Sequence, residues 1–313
     1  MPANLKTVVL GTRTSPLALA QTYLAADALR SLAHVPNIRI EGIRTTGDQR
    51  LDINLSKSAA KLDKGLFTKE LEDALISGRI DVAVHSLKDL PTVLPVGLEL
   101  VATLPRHDPV DLLISKTAHG LNEIPPGSFV ATGSVRRARQ IQRLRPDLFI
   151  EDVRGNVATR IRKLLGDKSW NSIVLAKAGL ERLGYKLENE QVSFEGERLF
   201  ATALGEILPA AGQGAIGLET RCNEPELRNL LRAVNDANTW FCTAVEREFL
   251  RLLGGGCNLP VGIRARLNGR KLNCEAIVFD EHGNWFSGAL SEEFETAETA
   301  AAALLKRVYE QRR

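Results

Sequence analysis

The sequence predicts an α/β protein that ends in a small α+β domain with an antiparallel sheet. In the first two thirds, short β-branched segments alternate with helical patterns, which is typical of α/β domains. The last part instead has three strand patterns in succession and then one helical pattern. A length of 313 residues is enough for two or three domains, each with its own core.

The first group of elements contains three strands and two helices. Ser15 has the position of an N-cap and Pro16 that of the first helical residue, so a helix is expected to follow the first strand directly. Apolar residues at 67, 71, 74 and 75 have helical spacing, and Gly78 suits the end of that helix. The predicted elements are a strand at 7–13, a helix at 16–32, a strand at 38–46, a helix at 67–78 and a buried strand at 81–85.

The pattern restarts after Pro105. We expect a domain boundary near residues 105–110, because Pro105 and Pro109 flank a polar segment there. The predicted strands beyond it are 128–132, 148–153 and 172–176, each followed by a helix, at 135–144, 157–165 and 178–183. Helical stretches at 224–253 precede the final domain, which has strands at 261–267, 272–279 and 285–290 and a helix at 297–309.

Composition excludes several classes of protein. The 41 basic and 38 acidic residues give a formal charge of only +3, which argues against bulk nucleic-acid binding. No apolar segment approaches the roughly 20 residues of a membrane span, and the first residues lack a signal-peptide core, so we expect a cytoplasmic protein. The four cysteines have no C-x-x-C spacing and the five histidines are scattered, so neither a zinc site nor a disulfide framework is expected.

Arginines recur where strands are predicted to end and helices to begin. Arg13 and Arg154 are placed at strand ends, Arg136 and Arg137 fall in the first turn of a helix capped by Ser134, and Arg160 falls in the first turns of the next helix. A cation gains nothing from the dipole at a helix N-terminus, unless an anion binds there to both the backbone N–H groups and the guanidinium. Each arginine taken singly also fits a solvated surface, but their joint position favours a site for carboxylates.

Lys88 and Asp89 follow the buried strand at 81–85. One interpretation is a surface ion pair of little energetic value. The other is that Asp89 faces a cation that develops on a substrate. At about 4 Å and an effective dielectric near 20, opposite charges attract by about 4 kcal/mol, or nearly three decades in rate.

Cys257 follows three glycines and precedes Pro260. Glycines at 254–256 leave space for a bulky group at the sulfur, although a glycine-rich turn that carries a cysteine by chance fits the segment too. The basic segment 64–70 lacks the spacing of a nucleotide P-loop, and 212–214 is too short for a dinucleotide fingerprint.

Seven segments, in order, resemble the porphobilinogen deaminase (hydroxymethylbilane synthase) family. They are Gly11-Thr12-Arg13-Thr14-Ser15-Pro16-Leu17-Ala18, Lys64-Gly65-Leu66-Phe67, His85-Ser86-Leu87-Lys88-Asp89-Leu90-Pro91, Thr132-Gly133-Ser134-Val135-Arg136-Arg137, Arg154-Gly155-Asn156-Val157, Leu208-Pro209-Ala210-Ala211-Gly212-Gln213-Gly214 and Gly255-Gly256-Cys257.

The resemblance implies a fold of two lobes like those of periplasmic binding proteins, with hinge strands between them, and a third domain that carries the cysteine. The implied domains are 5–104 with 215–232, 105–214, and 233–313. It also implies a monomer without a metal, a nucleic-acid partner or membrane contact.

The resemblance further implies a transferase of porphyrin, tetrapyrrole and haem biosynthesis. A dipyrromethane cofactor would be joined to Cys257 through a thioether, and four porphobilinogen molecules would be added to it with loss of ammonia before the linear tetrapyrrole is released. Asp89 would be catalytic and would stabilise the azafulvenium-type cation. The implied cofactor-binding residues are Cys257, Lys88, Asp89, Thr132, Ser134, Arg136, Arg137, Arg154 and Gly155. The implied substrate-binding residues are Arg13, Ser15, Arg154, Arg160 and Arg182.

Two other functions compete with this one. A non-catalytic two-lobed anion-binding protein would use the same arginines, with Cys257 incidental. A cysteine hydrolase would need a histidine near the thiol, and no histidine lies close to Cys257 in sequence.

Overall fold

The computed structural model describes residues 7–33, 36–46, 68–254 and 260–310. The described strands are β1 (Thr7–Arg13), β2 (Asn37–Ile43), β3 (Val82–Ser86), β4 (Leu98–Thr103), β5 (Asp111–Ser115), β6 (Phe129–Ala131), β7 (Phe149–Glu151), β8 (Trp170–Ala176), β9 (Leu187–Glu188), β10 (Gln191–Phe194), β11 (Glu197–Ala203), β12 (Ile216–Arg221), β13 (Val261–Asn268), β14 (Lys271–Phe279) and β15 (Trp285–Glu293). The described α-helices are α1 (Pro16–Arg30), α2 (Lys69–Ile76), α3 (Val135–Leu144), α4 (Val157–Gly166), α5 (Lys177–Arg182), α6 (Pro225–Arg232), α7 (Ala237–Leu252) and α8 (Ala297–Glu310). Short 3₁₀ turns lie at Leu87–Asp89 and Leu121–Glu123.

Two α/β sheets of similar design form the two lobes. The first has the strand order β2-β1-β3-β12-β4, and the second has the order β7-β6-β8-β5-β11-β10-β9. In each sheet the first three strands are parallel and the fourth is antiparallel to the third. That fourth strand, β12 or β5, is in each case the one that the chain enters directly after leaving the other lobe.

The chain passes between the lobes twice. Residues 104–110 connect β4 to β5, and residues 204–215 connect β11 back to β12. We call these the two crossover segments. Gly214 lies in the second of them with φ +86°, and a Cβ there would come 2.4 Å from the carbonyl oxygen of His107 in the first. Only glycine therefore allows the two crossover segments to approach this closely.

The remaining sheet is antiparallel, in the order β13-β14-β15, and packs against α7 and α8. Its core is formed by side chains from all of these elements, with Phe249, Ile263 and Leu304 fully buried among them. The predicted fold class, α/β with a small antiparallel α+β domain at the C-terminus, is confirmed.

A single buried carboxylate joins this last domain to both crossover segments. Glu246 on α7 accepts two hydrogen bonds from the guanidinium of Arg106, at 2.8 and 3.0 Å. It also accepts from the backbone N–H groups of Gly212, at 2.7 Å, and of Ala265 in β13, at 2.9 Å. A buried carboxylate with this many donors is fully compensated for its lost hydration.

Several elements differ from the sequence prediction. The strands β4, β5, β9, β10, β11 and β12 were not predicted. The strand predicted at 148–153 is shorter, and Arg154 lies three residues beyond the end of β7 instead of closing it. The helical stretch at 224–253 is two helices, because the chain turns between α6 and α7 at a new N-cap, Asp236.

Candidate functional site

The predicted site residues lie after the carboxyl ends of parallel strands in both lobes. Ser15 and the pair Lys88 and Asp89 follow β1 and β3 in the first lobe. Thr132 and Ser134 follow β6 in the second lobe, and Arg154 follows β7. Ligands of open α/β sheets bind at this edge. Helices α1 and α5 bring the two lobes into contact there, since a Cβ at Gly179 would lie 3.6 Å from Leu17.

Both predicted N-caps form. The side-chain oxygen of Ser15 accepts a hydrogen bond from the backbone N–H of Ala18 at 3.3 Å, and that of Ser134 accepts from Arg137 at 3.5 Å. Thr132 is buried, and its hydroxyl accepts from the Ser134 N–H at 3.2 Å. These bonds fix the first turn of α3, from which two arginine side chains project.

Those two arginines, Arg136 and Arg137, are buried and share one carboxylate. Arg136 Nη2 lies 2.8 Å from Asp111 Oδ2, and Arg137 Nη2 lies 2.7 Å from Asp111 Oδ1. We call these three residues the basic cluster. Burial opposes the ionisation of Asp111, but the two guanidinium charges outweigh it and hold the pKa of this carboxyl well below its usual range.

Lys88 belongs to the same environment, although it comes from the other lobe. Its side chain is partly exposed and Asp89 is exposed, both in the 3₁₀ turn after β3. Desolvation lowers the pKa of the Lys88 ammonium, and Arg137 and Arg136 lower it further, while Asp89 and Asp111 oppose the shift. The Lys88 ammonium therefore lies within electrostatic reach of the basic cluster.

Arg154 and Arg160 extend this positive region. Arg160 Nε donates to the carbonyl oxygen of Gly155 at 2.7 Å, and Arg154 Nε donates to Asp152 at 3.0 Å. Desolvation first, and then the charges of Arg137 and Arg154, lower the pKa of Arg160 to about 10. Asp89 is among the charges that act on Arg160, so the first lobe's carboxylate lies within electrostatic reach of the second lobe's guanidinium.

Gly155 makes the turn between β7 and α4 possible. It has φ +116°, and a Cβ there would lie 2.7 Å from Thr159. The next residue, Asn156, caps α4 through a 2.9 Å bond from the Thr159 N–H. The turn places Arg154 and Arg160 on either side of Gly155.

Arg13 and Arg182 occupy different positions. Arg13 is partly buried at the end of β1. Arg182 lies on α5 and donates from Nη2 to the carbonyl oxygen of Gly214 at 2.6 Å, so it holds the second crossover segment. Desolvation lowers the pKa of Arg182 to about 10.

Four buried guanidinium nitrogens in the described residues have no hydrogen-bond partner, namely Arg137 Nε, Arg154 Nη2, Arg182 Nε and Arg228 Nε. Arg228 Nε lies 2.6 Å from Glu99 Oε1 in an ion pair of the first lobe, whereas the other three belong to predicted site residues. Buried donors are nearly always satisfied, so each of those three calls for an acceptor. Carboxylates of an anionic ligand are the acceptors that suit guanidinium groups best.

The first lobe contains a second buried polar cluster, in which acidic side chains outnumber basic ones. His85 Nε2 lies 2.8 Å from Glu219 Oε2, and both side chains are buried. Burial raises the pKa of Glu72 on α2, and the charge of Glu219 adds to this. We call His85, Glu219 and Glu72 the acidic cluster.

Two predicted segments cannot be placed in this geometry. Cys257 and its glycines at 255–256, and the basic segment at 64–67, lie outside the described residues. The other three cysteines, Cys222, Cys242 and Cys274, are free, and Cys242 and Cys274 are buried. Burial raises the pKa of the Cys242 thiol to about 11. Neither buried thiol therefore has the character of a nucleophile.

Comparison with known proteins identifies the family. Residues 8–229 match the family model described as porphobilinogen deaminase, dipyromethane cofactor binding domain, and residues 240–310 match the model of the porphobilinogen deaminase C-terminal domain. The chain belongs to the porphobilinogen deaminase family. The predicted family membership is thus confirmed.

Curated relatives in the porphobilinogen deaminase family align along most of their length. The chain is 42% identical to the porphobilinogen deaminase of Syntrophobacter fumaroxidans over 87% of this chain and 84% of that protein. It is 41% identical to that of Syntrophomonas wolfei over 96% of this chain and 95% of that protein. Among solved structures, the periplasmic VFT2 domain of Bordetella pertussis BvgS aligns with a TM-score of 0.42 and 16% identity, over 74% of this chain and 86% of that one. A likeness this weak carries no argument.

None of the helices in the described residues is both long and apolar enough to cross a membrane. The same part of the chain contains no group of three or more histidine, cysteine, aspartate or glutamate side chains arranged to hold a metal ion.

Sequence reasoning missed the residues that hold the arginines and the crossover segments in place. Asp111 had no local signal except a charge at the start of the apolar run Leu112-Leu113-Ile114. Gln213, whose amide donates to Asp111 at 2.8 Å, was part of a quoted segment but had no role. Arg106 was interpreted only as part of a polar boundary, and its partner Glu246 lies 140 residues away.

Proposed function

We propose that this protein condenses four porphobilinogen molecules head to tail on a dipyrromethane primer that is bound covalently to Cys257 by a thioether. Each addition releases ammonia, and hydrolysis then releases the linear tetrapyrrole hydroxymethylbilane. The observation that carries the proposal is the convergence of Arg136, Arg137, Arg154 and Arg160 with Lys88 and Asp89 at one edge of both sheets.

The site fits a dipyrromethane because of its unsatisfied donors. Every pyrrole ring of this group carries an acetate and a propionate, and the buried nitrogens Arg137 Nε and Arg154 Nη2 need acceptors of that kind. Thr132 and Ser134 precede these arginines, and Gly155 lets the backbone approach closely. When bound, the dipyrromethane supplies the nucleophilic pyrrole carbon to which the first substrate molecule is joined.

The substrate would bind through the arginines of the site that are only partly buried. Arg154 and Arg160 in the second lobe, with Arg13 and Ser15 in the first, would receive the carboxylates of porphobilinogen. Arg182 would contribute from α5, while its Nη2 holds Gly214. Because the pKa of Arg160 is about 10, it stays charged at neutral pH and binds carboxylates throughout the physiological range.

Asp89 would supply the charge for catalysis. When the C–N bond of the substrate's aminomethyl group breaks, the nitrogen leaves as ammonia and positive charge develops on the porphobilinogen. An exposed carboxylate within electrostatic reach of Arg160 and Lys88 can stabilise that cation. It can also accept the proton that the attacked ring loses after the C–C bond forms.

The remaining assignments follow from the same proposal. We propose the domains 5–104 with 215–232, 105–214, and 233–313; the crossover segments at 104–110 and 204–215 support the division between the first two. A monomer in the cytoplasm is the corresponding proposal for the assembly and its location.

The experiment is intact-mass spectrometry of protein from a host that makes porphobilinogen. We expect an adduct equal to two porphobilinogen units less two ammonias on the wild type, and none on Cys257→Ser. The exposed free cysteine Cys222 offers a matched control, and Cys222→Ser should keep the adduct. An unmodified wild-type mass together with no release of ammonia from porphobilinogen would instead favour a non-catalytic anion-binding protein.

A further inference from the structure

Asp111 is the carboxylate around which the basic cluster is built. It is the first residue of β5 and is buried, directly after the first crossover segment. Besides Arg136 and Arg137, it accepts a hydrogen bond at 2.8 Å from the side-chain amide of Gln213, which lies in the second crossover segment. The same amide also donates to the carbonyl oxygen of Pro109 at 2.6 Å. Asp111 therefore ties the arginines to both crossover segments.

Each arginine of the basic cluster is held at two points. Arg136 donates from Nη2 to Asp111 and from Nη1 to the carbonyl oxygen of Leu208 at 2.5 Å. Arg137 donates from Nη2 to Asp111 and from Nη1 to the carbonyl oxygen of Val174 at 2.9 Å. A planar guanidinium held at two nitrogens has a fixed orientation, so the unsatisfied Nε of Arg137 has a fixed direction as well.

Charge balance gives Asp111 a second effect. Arg136, Arg137 and Lys88 bring three positive charges close together, and the arginines lower the pKa of Lys88. Asp111 opposes that shift, and its own pKa is held so low that it is ionised at any physiological pH. Without its charge, Lys88 would lose its proton at a lower pH.

We propose that Asp111 is a positioning residue of the anion site, which aims Arg136 and Arg137 at the ligand's carboxylates. It acts through these two side chains and does not itself touch the ligand. The inference rests on the proposed function and adds a residue to it. A buried ion pair with a structural role only is the alternative.

The decisive variant is Asp111→Asn, which keeps the shape and removes the charge. Asp147→Asn is the matched control, because Asp147 pairs with Arg145 at 2.6 Å on the surface of the same lobe. For Asp111→Asn we expect loss of dipyrromethane adduct in the intact mass and about tenfold or greater loss of kcat/KM in the molecules that keep it. The alkaline limb of kcat/KM against pH should also move to lower pH. The control should match the wild type in all three.

The pH profile separates positioning from a structural role. Loss of stability alone would lower the melting temperature without moving the alkaline limb. A folded Asp111→Asn protein with the adduct occupancy and pH profile of the control would overturn the proposal.

A second variant, Asp111→Glu, covers the case in which Asp111→Asn does not fold. It keeps the charge and moves the carboxylate by one methylene. We expect the alkaline limb of kcat/KM against pH to lie at its wild-type position. KM for porphobilinogen should be about tenfold higher than in the wild type, because the longer side chain cannot hold both guanidinium groups in place. Wild-type KM and adduct occupancy in this variant would contradict the role of Asp111.

Measurements on the wild type keep the two proposals apart. If the wild type carries no adduct and consumes no porphobilinogen, the proposed function and the role of Asp111 fall together. If the wild type is active and both Asp111 variants behave like the Asp147 control, only the role of Asp111 falls.

Discussion

The two lobes have similar sheets but bury opposite charges. The acidic cluster of the first lobe places His85 against Glu219, with Glu72 nearby on α2. The basic cluster of the second lobe places two guanidinium groups against the single carboxylate of Asp111. Acidic side chains thus outnumber basic ones in the cluster of the first lobe, and basic ones outnumber acidic ones in that of the second.

The difference between the two clusters shows which kind of buried polar group marks a ligand site. Near the basic cluster, unsatisfied nitrogen donors remain on Arg137 and Arg154, at the sheet edge where both lobes meet. In the acidic cluster the unsatisfied atoms are carboxylate oxygens of Glu72 and Glu219, which are acceptors and do not call for an anion. Burial of charge alone does not identify a binding site, whereas unsatisfied donors that need an external anion do.

The largest expected effect concerns Asp89, which lies in the first lobe but does not belong to its acidic cluster. Asp89→Asn should lower kcat by nearly three decades, because an attraction of about 4 kcal/mol to the developing cation is lost. The adduct should remain, since the side chain keeps its shape. Steady-state turnover and intact mass test this, with the exposed Asp73→Asn in the same lobe as the control. A rate within a few-fold of the control would remove Asp89 from catalysis and leave the first lobe without a chemical role.

A smaller effect is expected when the acidic cluster itself loses charge. Glu219→Gln should lower the free energy of unfolding by about 1–3 kcal/mol, because His85 loses a buried charged partner. Turnover of the folded protein should stay within about twofold of the wild type, since no residue of this cluster is among the proposed ligand-binding residues. Denaturant unfolding and steady-state kinetics measure both, and Glu226→Gln on the exposed face of α6 is the control. A large loss of kcat with unchanged stability would reverse the comparison between the lobes.

The smallest effect is a change of stability with pH at Glu72. Its pKa is raised in the folded protein, so the folded state binds this proton more tightly than the unfolded state does. The stabilisation is complete below the unfolded pKa and is lost as pH rises through the folded pKa.

Glu72→Gln cannot lose a proton. The variant should therefore gain in free energy of unfolding relative to the wild type as pH rises above about 4.5, the ordinary value for this group. Unfolding measured at several pH values tests the trend, again with Glu226→Gln as the control. A difference from the wild type that does not change with pH would show that Glu72 is not buried with a raised pKa.

Local signals in the sequence predicted much of this architecture. The helix starts at Ser15 and Ser134 were found because an N-cap depends only on neighbouring residues. The strand β12 was missed because Glu219 and Thr220 interrupt its apolar pattern, and the partner of Glu219 there, His85, lies 134 residues away.

The ligand-binding residues of the candidate site were predicted from the sequence, but the residues that hold them in place were not. The arginines after strand ends indicated an anion site, because a cation at a helix N-terminus opposes the helix dipole unless an anion binds there. No local pattern indicated that Arg136 and Arg137 share Asp111, because that carboxylate lies about 25 residues earlier in a different element. Long-range partners of this kind follow from topology and not from local pattern.

The place of β12 between β3 and β4 has a consequence for how the protein is made. The ribosome finishes residues 7–103 early, yet the strand that completes their sheet is Ile216–Arg221, more than a hundred residues later. Every strand of the second sheet has by then been synthesised, so that lobe can fold while the first still lacks its inner strand. Newly made chains should thus acquire protease resistance in the middle of the sequence before the beginning.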